Sequence, residues 1–244
     1  MKKQDFSNLN AIYVNCTLKK SPQKSHTDTL MAVSKSIMDK ENVKTDEIRF
    51  VDHQVANGVY PDMTKHNWDK DEWPTLFEKI IKADMLILGT PIWLGEKSSV
   101  AQKLIERLYA MSGETIAKGQ YIYYGKVGGC IITGNEDGIK HCAMGILYSL
   151  QHIGYSIPPQ ADCGWIGKVK PGPSYGDTEW QGEKILPPEG YESNFTNRNT
   201  TFMTYNLLHL AHMLKFNDGY PEYGNSRSKW DDGTRWNFEN PEYR

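Results

Sequence analysis

Three loops of this chain concentrate residue types that can bind an anion or hold a flat ring. Residues 16–28 are rich in hydroxyls and lysines, residues 90–97 carry a proline, a tryptophan and a glycine, and residues 133–138 read Thr-Gly-Asn-Glu-Asp-Gly. Each loop comes directly after a short apolar run. Hydroxyls and free backbone N–H groups at the start of a helix can bind a phosphate, so we expect the first loop to be an anion site.

The first loop leads into a predicted helix. Ser25 is its predicted N-cap, and Asp28 stands three residues later, where a capping box would have Glu or Gln. The alternative, that these side chains only cap the helix, stays open. The sequence has no GxxxxGK[ST] or GxGxxG motif, which argues against a nucleoside-triphosphate P-loop and a dinucleotide fingerprint.

The second loop lies between a predicted strand and a predicted helix. The uniform apolar run at residues 85–88 favours a strand that is buried on both faces. Pro91 has no N–H to donate to a sheet, so the strand is predicted to stop there. Ser98 is the predicted N-cap of the helix that follows. An ordinary strand-to-helix connection with a surface tryptophan is the competing interpretation.

The rest of the chain repeats this alternation and predicts an α/β fold. A helix follows each strand, the second over residues 73–82 and the last over residues 195–216. This order favours a flavodoxin-like three-layer sandwich, with a five-stranded parallel sheet of order 2-1-3-4-5 and helices on both faces. The three loops would then meet at the carboxyl ends of neighbouring strands one, three and four. The strands are predicted at residues 11–15, 47–51, 85–88, 126–133 and, interrupted by two prolines, 155–166.

The chain is predicted to form one domain with a tail. Residues 1–216 make up the domain, and the Gly- and Pro-rich residues 168–194 are an insertion without sustained periodicity. Residues 217–244 are rich in aromatic side chains, which disordered segments lack. We therefore expect this tail to pack on the domain or on a partner subunit.

Composition excludes several classes of function. The net charge of −2 gives no reason to expect a nucleic acid or an anionic membrane as partner. The four cysteines form no CxxC pair, which argues against a disulfide framework, a metal site and an iron–sulfur cluster. The N-terminal sequence has no apolar stretch typical of a signal peptide, and no apolar run reaches membrane-spanning length. We expect a cytoplasmic protein.

The three loops also resemble those of a known family. Residues 90–95, Thr-Pro-Ile-Trp-Leu-Gly, with Ser98 and the following helix, resemble the second flavin loop of the NAD(P)H-dependent FMN reductases and flavodoxin-like quinone reductases. Residues 17–20 and 25–27 are similar to the phosphate loop of that family, and residues 133–138 to its third loop. The resemblance covers about residues 10–166 and the last helix. The chain departs from the family at Ser25-His26, where the family has glycine and asparagine.

The resemblance implies a non-covalently bound FMN, with NADPH or NADH as electron donor and a quinone, a flavin or a similar small molecule as acceptor. His141 would donate a hydrogen bond to the acceptor, although capping or packing is the commoner fate of such a histidine. A flavodoxin-type electron carrier, and a relative that has lost FMN, are the alternatives. Family members pair, so a homodimer or homotetramer is expected. The implied FMN-binding residues are Thr17, Lys19, Ser25, His26, Thr27, Thr90, Pro91, Ile92, Trp93, Leu94, Gly95, Thr133, Gly134, Asn135, Glu136, Asp137 and Gly138.

Overall fold

A computed structural model describes residues 4–167 and 173–239 of the chain. The helices are α1 (His26–Lys40), α2 (Trp73–Ile80), α3 (Ser99–Tyr109), α4 (Ile139–Ile153), α5 (Glu189–Glu192), α6 (Asn194–Phe216) and α7 (Arg227–Asp231). The strands are β1 (Asn10–Asn15), β2 (Lys44–Arg49), β3 (Met85–Trp93), β4 (Glu96–Lys97), β5 (Val127–Gly134), β6 (Asp162–Ile166), β7 (Glu179–Gln181) and β8 (Lys184–Leu186).

The central sheet has the predicted flavodoxin-like topology. Its five parallel strands lie in the order β2-β1-β3-β5-β6, which is the predicted order 2-1-3-4-5 once the short β4 is set aside. Two apolar clusters cover its faces. One contains residues of α1 and α6, and the other contains residues of α2, α3 and α4. Successive side chains of a strand point to opposite faces of the sheet. In β1, Tyr13 therefore belongs to the first cluster, and Ile12 and Val14 belong to the second.

The prediction that β3 stops at Pro91 is wrong. The strand continues to Trp93, and Pro91 is in register with Thr133 of β5. On its other edge β3 pairs with β1 only as far as Gly89, whose carbonyl accepts from Cys16 N. Backbone groups two residues apart point to the same side of a strand, so the nitrogen of Pro91 faces the edge where pairing has ended. A missing N–H costs no ladder hydrogen bond there.

Other boundaries differ in smaller ways. The second strand spans Lys44–Arg49 and so begins three residues before its predicted start. The last two residues of the predicted strand, Phe50 and Val51, form a short 3-10 helix with Asp52 instead. The fifth strand, predicted over residues 155–166 with an interruption, is β6 in its second part. In its first part only Ser156 pairs, through an isolated parallel bridge with Val127. Each predicted helix is present; the helix predicted over residues 73–82 ends at Ile80, and the helix predicted over residues 195–216 begins at Asn194.

The insertion and the tail contain elements that periodicity did not indicate. In the insertion, β7 and β8 pair as an antiparallel hairpin, and α5 follows them. The first residues of the predicted insertion, 168–172, lie outside the described residues. In the tail, Ser226 Oγ donates to Lys118 O at 3.0 Å, and Gln120 Nε2 donates to Asn225 Oδ1 at 2.6 Å. The described tail therefore contacts residues of the same chain, while its contact with a partner subunit remains a prediction.

The described part of the chain has neither a membrane-spanning helix nor a cluster of metal ligands. Across residues 4–167 and 173–239, none of the helices combines the length and apolarity that crossing a membrane requires. The same residues contain no group of three or more His, Cys, Asp or Glu side chains placed to hold a metal ion.

Candidate functional site

A cavity of about 660 Å³ opens at the carboxyl ends of β1, β3 and β5. All three predicted loops contribute to it, because the carboxyl ends of parallel neighbours meet at one edge of the sheet. Its volume lies in the range of about 300–1,000 Å³ that is usual for small-molecule sites. It is lined by Thr17, Leu18, Lys19, His26, Thr27, Pro91, Ile92, Trp93, Thr133, Gly134, Asn135, Glu136, Ser174 and Tyr175.

The first loop is shaped by two buried polar side chains. Asn15 Oδ1 accepts from Thr17 N at 3.1 Å, and Asn15 Nδ2 donates to Ser25 Oγ at 3.4 Å. Ser25 caps α1 by accepting from Asp28 N at 3.2 Å. The reciprocal half of the predicted capping box is not formed, because the Asp28 carboxylate pairs with Arg49 at 3.3 Å instead. The amino end of α1 thus begins at the cavity wall.

The start of α1 also contacts the other two strands. Thr27 Oγ1 lies 2.8 Å from Thr133 Oγ1 at the end of β5. Gly89 of β3 allows α1 to pack closely, since a Cβ there would stand 2.3 Å from Met31 Sδ and 3.0 Å from Thr27 Cγ2. The first loop and the ends of β3 and β5 are therefore positioned as one unit.

The second loop is a tight hairpin between β3 and β4. Its two turn residues have positive φ, 52° at Leu94 and 77° at Gly95, as a two-residue turn of this handedness requires. Leu94 is 94% exposed and Trp93 is 54% exposed. Thr90 lies beneath the hairpin, where its Oγ1 accepts from Ser98 N at 3.0 Å. The hairpin thus carries Trp93 to the cavity and leaves the Leu94 side chain in solvent, outside the cavity lining.

The third loop packs against this hairpin. Glu136 Oε1 accepts from Leu94 N at 2.7 Å. Gly138 has a φ of +138°, and a Cβ on it would stand 2.6 Å from Gly95 O. Only a residue without a side chain permits that approach.

His141 does not line the cavity. Its Nε2 donates to Glu96 Oε1 at 2.6 Å on the outer side of the hairpin, and 60% of its side chain is exposed. That hydrogen bond holds the pKa of the Glu96 carboxyl below its usual range. The structure therefore shows His141 as a partner of β4 rather than as a group at the cavity.

Comparison with known proteins agrees with this arrangement. The sequence profile described as NADPH-dependent FMN reductase matches residues 12–162. This span contains most of β1, all of β2 to β5 and all three loops. The chain belongs to the NADPH-dependent FMN reductase family.

Two curated relatives and several solved structures are similar to this family member. A Streptomyces davaonensis protein named 8-demethyl-8-aminoriboflavin-5'-phosphate synthase is 35% identical over 212 residues, 85% of this chain and 79% of that protein. A Mycobacterium bovis protein named divalent metal cation transporter MntH is 56% identical over 210 residues, 86% of this chain. The chain spans only 30% of that second protein's length.

Among solved structures, RosB with a bound 8-demethyl-8-formylriboflavin-5'-phosphate intermediate superposes with a TM-score of 0.78. It is 32% identical to this chain, and the match covers 95% of this chain and 90% of that one. A flavone reductase matches with a TM-score of 0.53 at 10% identity, covering 86% of this chain and 64% of that one, and supports the fold alone.

Most of the predicted flavin contacts of this FMN reductase family member line the cavity, and some do not. The predicted residues that line it are Thr17, Lys19, His26, Thr27, Pro91, Ile92, Trp93, Thr133, Gly134, Asn135 and Glu136. Those that support the loops from outside the lining are Ser25, Thr90, Leu94, Gly95, Asp137 and Gly138. Binding of FMN by either set remains a prediction.

Sequence reasoning missed three lining residues. Leu18 stands between two predicted contacts, and its aliphatic side chain carries no phosphate-binding chemistry that would mark it in the sequence. Ser174 and Tyr175 belong to the insertion, whose lack of periodicity provided no signal of where it would lie. Tyr175 is buried, and burial raises its pKa to about 12, so its hydroxyl stays protonated at neutral pH.

Proposed function

We propose that the chain binds FMN in this cavity and passes electrons from NADPH or NADH through it to a quinone, a flavin or a similar small acceptor. The observation that carries the proposal is the convergence of the three loops on one cavity at the carboxyl edge of β1, β3 and β5. Membership of the NADPH-dependent FMN reductase family supports the choice of flavin and nicotinamide.

The chemistry of the lining fits FMN. The phosphate would be held at the amino end of α1, by the hydroxyls of Thr17 and Thr27 and by free backbone N–H groups. The flat ring would lie against Pro91, Ile92 and Trp93, which form an apolar wall. When bound, FMN supplies hydride and electron transfer, for which the protein needs no general base.

The protein itself would position the flavin ring and shield it from water. Backbone N–H groups of the third loop, residues 135–138, would face the end of the ring that becomes negative on reduction, and fixed donors there favour the reduced form. The bond between Glu136 and Leu94 N keeps the hairpin and the third loop together. The hairpin therefore shields one side of the ring site from water.

The mouth of the cavity favours an apolar acceptor. Leu18 is 47% exposed and Trp93 is 54% exposed, and both line the opening. Exposed apolar side chains that rim a cavity indicate a binding surface for an apolar partner. A flat quinone has the shape and polarity to lie there.

The direct test is a visible absorbance spectrum of the purified protein, with FMN and then NADPH added, followed by NADPH turnover with menadione. We expect flavin bands that bleach with NADPH and turnover that continues until the menadione is consumed. Thr27→Val should weaken FMN binding, and Thr201→Val, on α6 and outside the cavity lining, should not. A protein that retains no FMN would overturn the proposal, and a flavinated protein without turnover would favour the electron carrier.

A second candidate is chemistry on the flavin itself. The 35% identity with the aminoriboflavin-phosphate synthase, and the 0.78 TM-score with RosB, specifically favour it. In that case riboflavin 5'-phosphate would be a substrate modified at its 8-position, in the same cavity. Mass spectrometry of the flavin after aerobic incubation with amino donors separates the two functions, since an oxidoreductase returns the flavin with unchanged mass.

The oligomeric state belongs to this proposal as well. We expect a homodimer or homotetramer by analogy with the family. Light scattering coupled to size exclusion measures the mass directly, and a monomer of 27.9 kDa would exclude both assemblies.

A further inference from the structure

The long helix α6 is apolar on its outer face as well as on its inner face. The inner face contributes buried residues to the apolar cluster on that side of the sheet. On the outer face, Phe195, Phe202, Met213 and Phe216 are 48–81% exposed. A helix with apolar residues on all sides is normally buried on all sides. The outer face of α6 therefore has the composition of a contact surface, although the described residues of this chain leave it exposed.

The exposed aromatic side chains of α6 recur every seven residues. Phe195, Phe202, His209 and Phe216 are all exposed and are spaced by seven positions. Seven residues make about two helical turns, so the four side chains follow one line along about 32 Å of the helix. This period is the one at which two helices pack side by side over many turns. These four residues and Met213 are hereafter the α6 stripe.

An evenly spaced stripe is complementary to a second copy of itself. We consider two α6 helices that pack antiparallel, with a two-fold axis midway between Tyr205 and Asn206. Phe195 then stands opposite the partner's Phe216, and Phe202 opposite the partner's His209. A two-fold interface has this property because both copies use the same surface patch.

The charged side chains of α6 favour the antiparallel order. The helix has no acidic residue, and its two basic residues are Arg198 and Lys215. In parallel order each would stand opposite its own copy, and like charges oppose association. In antiparallel order Arg198 stands opposite the partner's Met213, two positions from the partner's Lys215. Lys215 Nζ is paired with Asp84 Oδ2 at 2.9 Å, which offsets its charge there.

The exposed apolar area is large enough for a dimer. An aromatic side chain presents about 150–250 Å², so the exposed parts of the α6 stripe amount to on the order of 500 Å² per copy. Two copies would bury about 1,000 Å² through these residues alone, the size at which specific interfaces begin. The stripe therefore meets the area requirement before its polar neighbours are included.

We propose that the α6 stripe is a two-fold interface, at which a second copy of this chain packs its own α6 in antiparallel order. The inference rests on the homo-oligomer proposed above and names the surface that forms it. The described residues that line the flavin cavity include none from α6, so the interface does not depend on bound FMN.

The test is the mass of the full-length protein, measured by size exclusion with light scattering over a range of concentrations. Phe202→Asp places a charge in the middle of the α6 stripe, and Phe216→Asp places one at its most exposed position. Tyr148→Asp, at an exposed position of α4, is the matched control. Circular dichroism of each variant reports on folding, and retention of FMN reports separately on the proposed function.

We expect the wild type to assemble, and the dissociation constant between copies to rise at least about a hundredfold in both α6 variants but not in Tyr148→Asp. Unchanged assembly of both α6 variants would overturn the inference, as would a loss of assembly confined to Tyr148→Asp. If Phe202→Asp does not fold, Phe216→Asp decides alone. A wild type that is monomeric would refute the interface and the homo-oligomer together, whether or not it retains FMN.

A cross-link tests the order of the two helices. In antiparallel order the two copies of Asn206 lie beside the two-fold axis, whereas Asn199 stands opposite the partner's His212. The four native cysteines are buried, so they compete little with an introduced thiol for mild oxidant. Asn206→Cys should therefore form a covalent dimer, and Asn199→Cys should not. Equal cross-linking of both variants, as parallel helices require, would refute the antiparallel order.

Discussion

Glu136 Oε1 accepts a hydrogen bond from Leu94 N at 2.7 Å, which ties the tip of the β3–β4 hairpin to the third loop. The two residues are 42 positions apart, and each belongs to a different βα connection. Leu94 is almost fully exposed and has a φ of 52°, a conformation that a leucine rarely adopts. The carboxylate therefore helps to hold a turn that the leucine side chain itself disfavours.

We expect Glu136→Ala to release the hairpin and to weaken FMN binding by about tenfold, the equivalent of one hydrogen bond to a charged group. Glu136→Gln retains an acceptor oxygen and should recover most of that loss. Titration of flavin fluorescence measures both variants. Equal affinities of Glu136→Ala and the wild type would show that the hairpin holds its place without the carboxylate.

Gly138→Ala should damage both the fold and the site. The positive φ and the 2.6 Å approach to Gly95 O leave no space for a Cβ, so we expect the free energy of unfolding to fall by more than about 1 kcal/mol. Gly113→Ala is the matched control, because a Cβ there has no neighbour within 4 Å. Urea unfolding followed by circular dichroism compares the two. Similar midpoints would mean that the third loop can move away from the hairpin at little cost.

His141→Ala distinguishes a catalytic histidine from a structural one. General acid–base catalysis contributes about 10²–10⁴-fold to a rate, so a catalytic His141 predicts a loss of that size. Because its ring donates to Glu96 outside the cavity lining, we expect kcat with menadione to change by far less than that range. His152→Ala, at an exposed position of the same helix, is the control. A hundredfold loss confined to His141→Ala would support a catalytic role for this histidine.

The ion pair between Arg107 and Asp71 is expected to anchor the long connection between β2 and α2. Both side chains are fully buried, and Arg107 also donates to the carbonyls of Gly58 and Pro61. Burial lowers the pKa of the guanidinium, and the Asp71 carboxylate opposes that shift. Arg107→Ala leaves a buried carboxylate unpaired and should cost about 3–5 kcal/mol of stability.

The control for that prediction is Arg227→Ala, which breaks an exposed pair with Asp231 and should leave the unfolding midpoint unchanged. Adding Asp71→Asn to Arg107→Ala should recover part of the loss, since it removes the buried charge and keeps an oxygen that accepts from the backbone N–H groups of Ala56 and Trp73. If Arg107→Ala unfolds at the same denaturant concentration as the wild type, water reaches Asp71 and the connection is not anchored by this pair.

The fold and most of the cavity wall were predictable because they depend on local patterns. Apolar runs such as residues 85–88 predict buried strands wherever they occur, and the alternation with helices restricts the topology to a few arrangements. Once strands one, three and four are neighbours, their following loops must meet. The Thr17 and Trp93 loops therefore lie at one cavity, as predicted.

The differences between prediction and structure have a common cause in pairing between distant parts of the chain. Whether Pro91 ends β3 depends on how far β1 extends beside it, which the residues around the proline do not encode. The orientation of His141 depends on Glu96, which lies across a hairpin that itself was not predicted.

By itself, the sequence determined the flavodoxin-like sheet, the three loops and the FMN reductase family, since these follow from short-range periodicity and from motifs that are contiguous in the chain. Only the tertiary structure decided that Tyr175 and Asp177 of the insertion lie against Lys24 and His26. The insertion has no repeating apolar pattern, and its position is set by one buried tyrosine and by hydrogen bonds to residues about 150 positions away. Contacts over such separations depend on the completed fold.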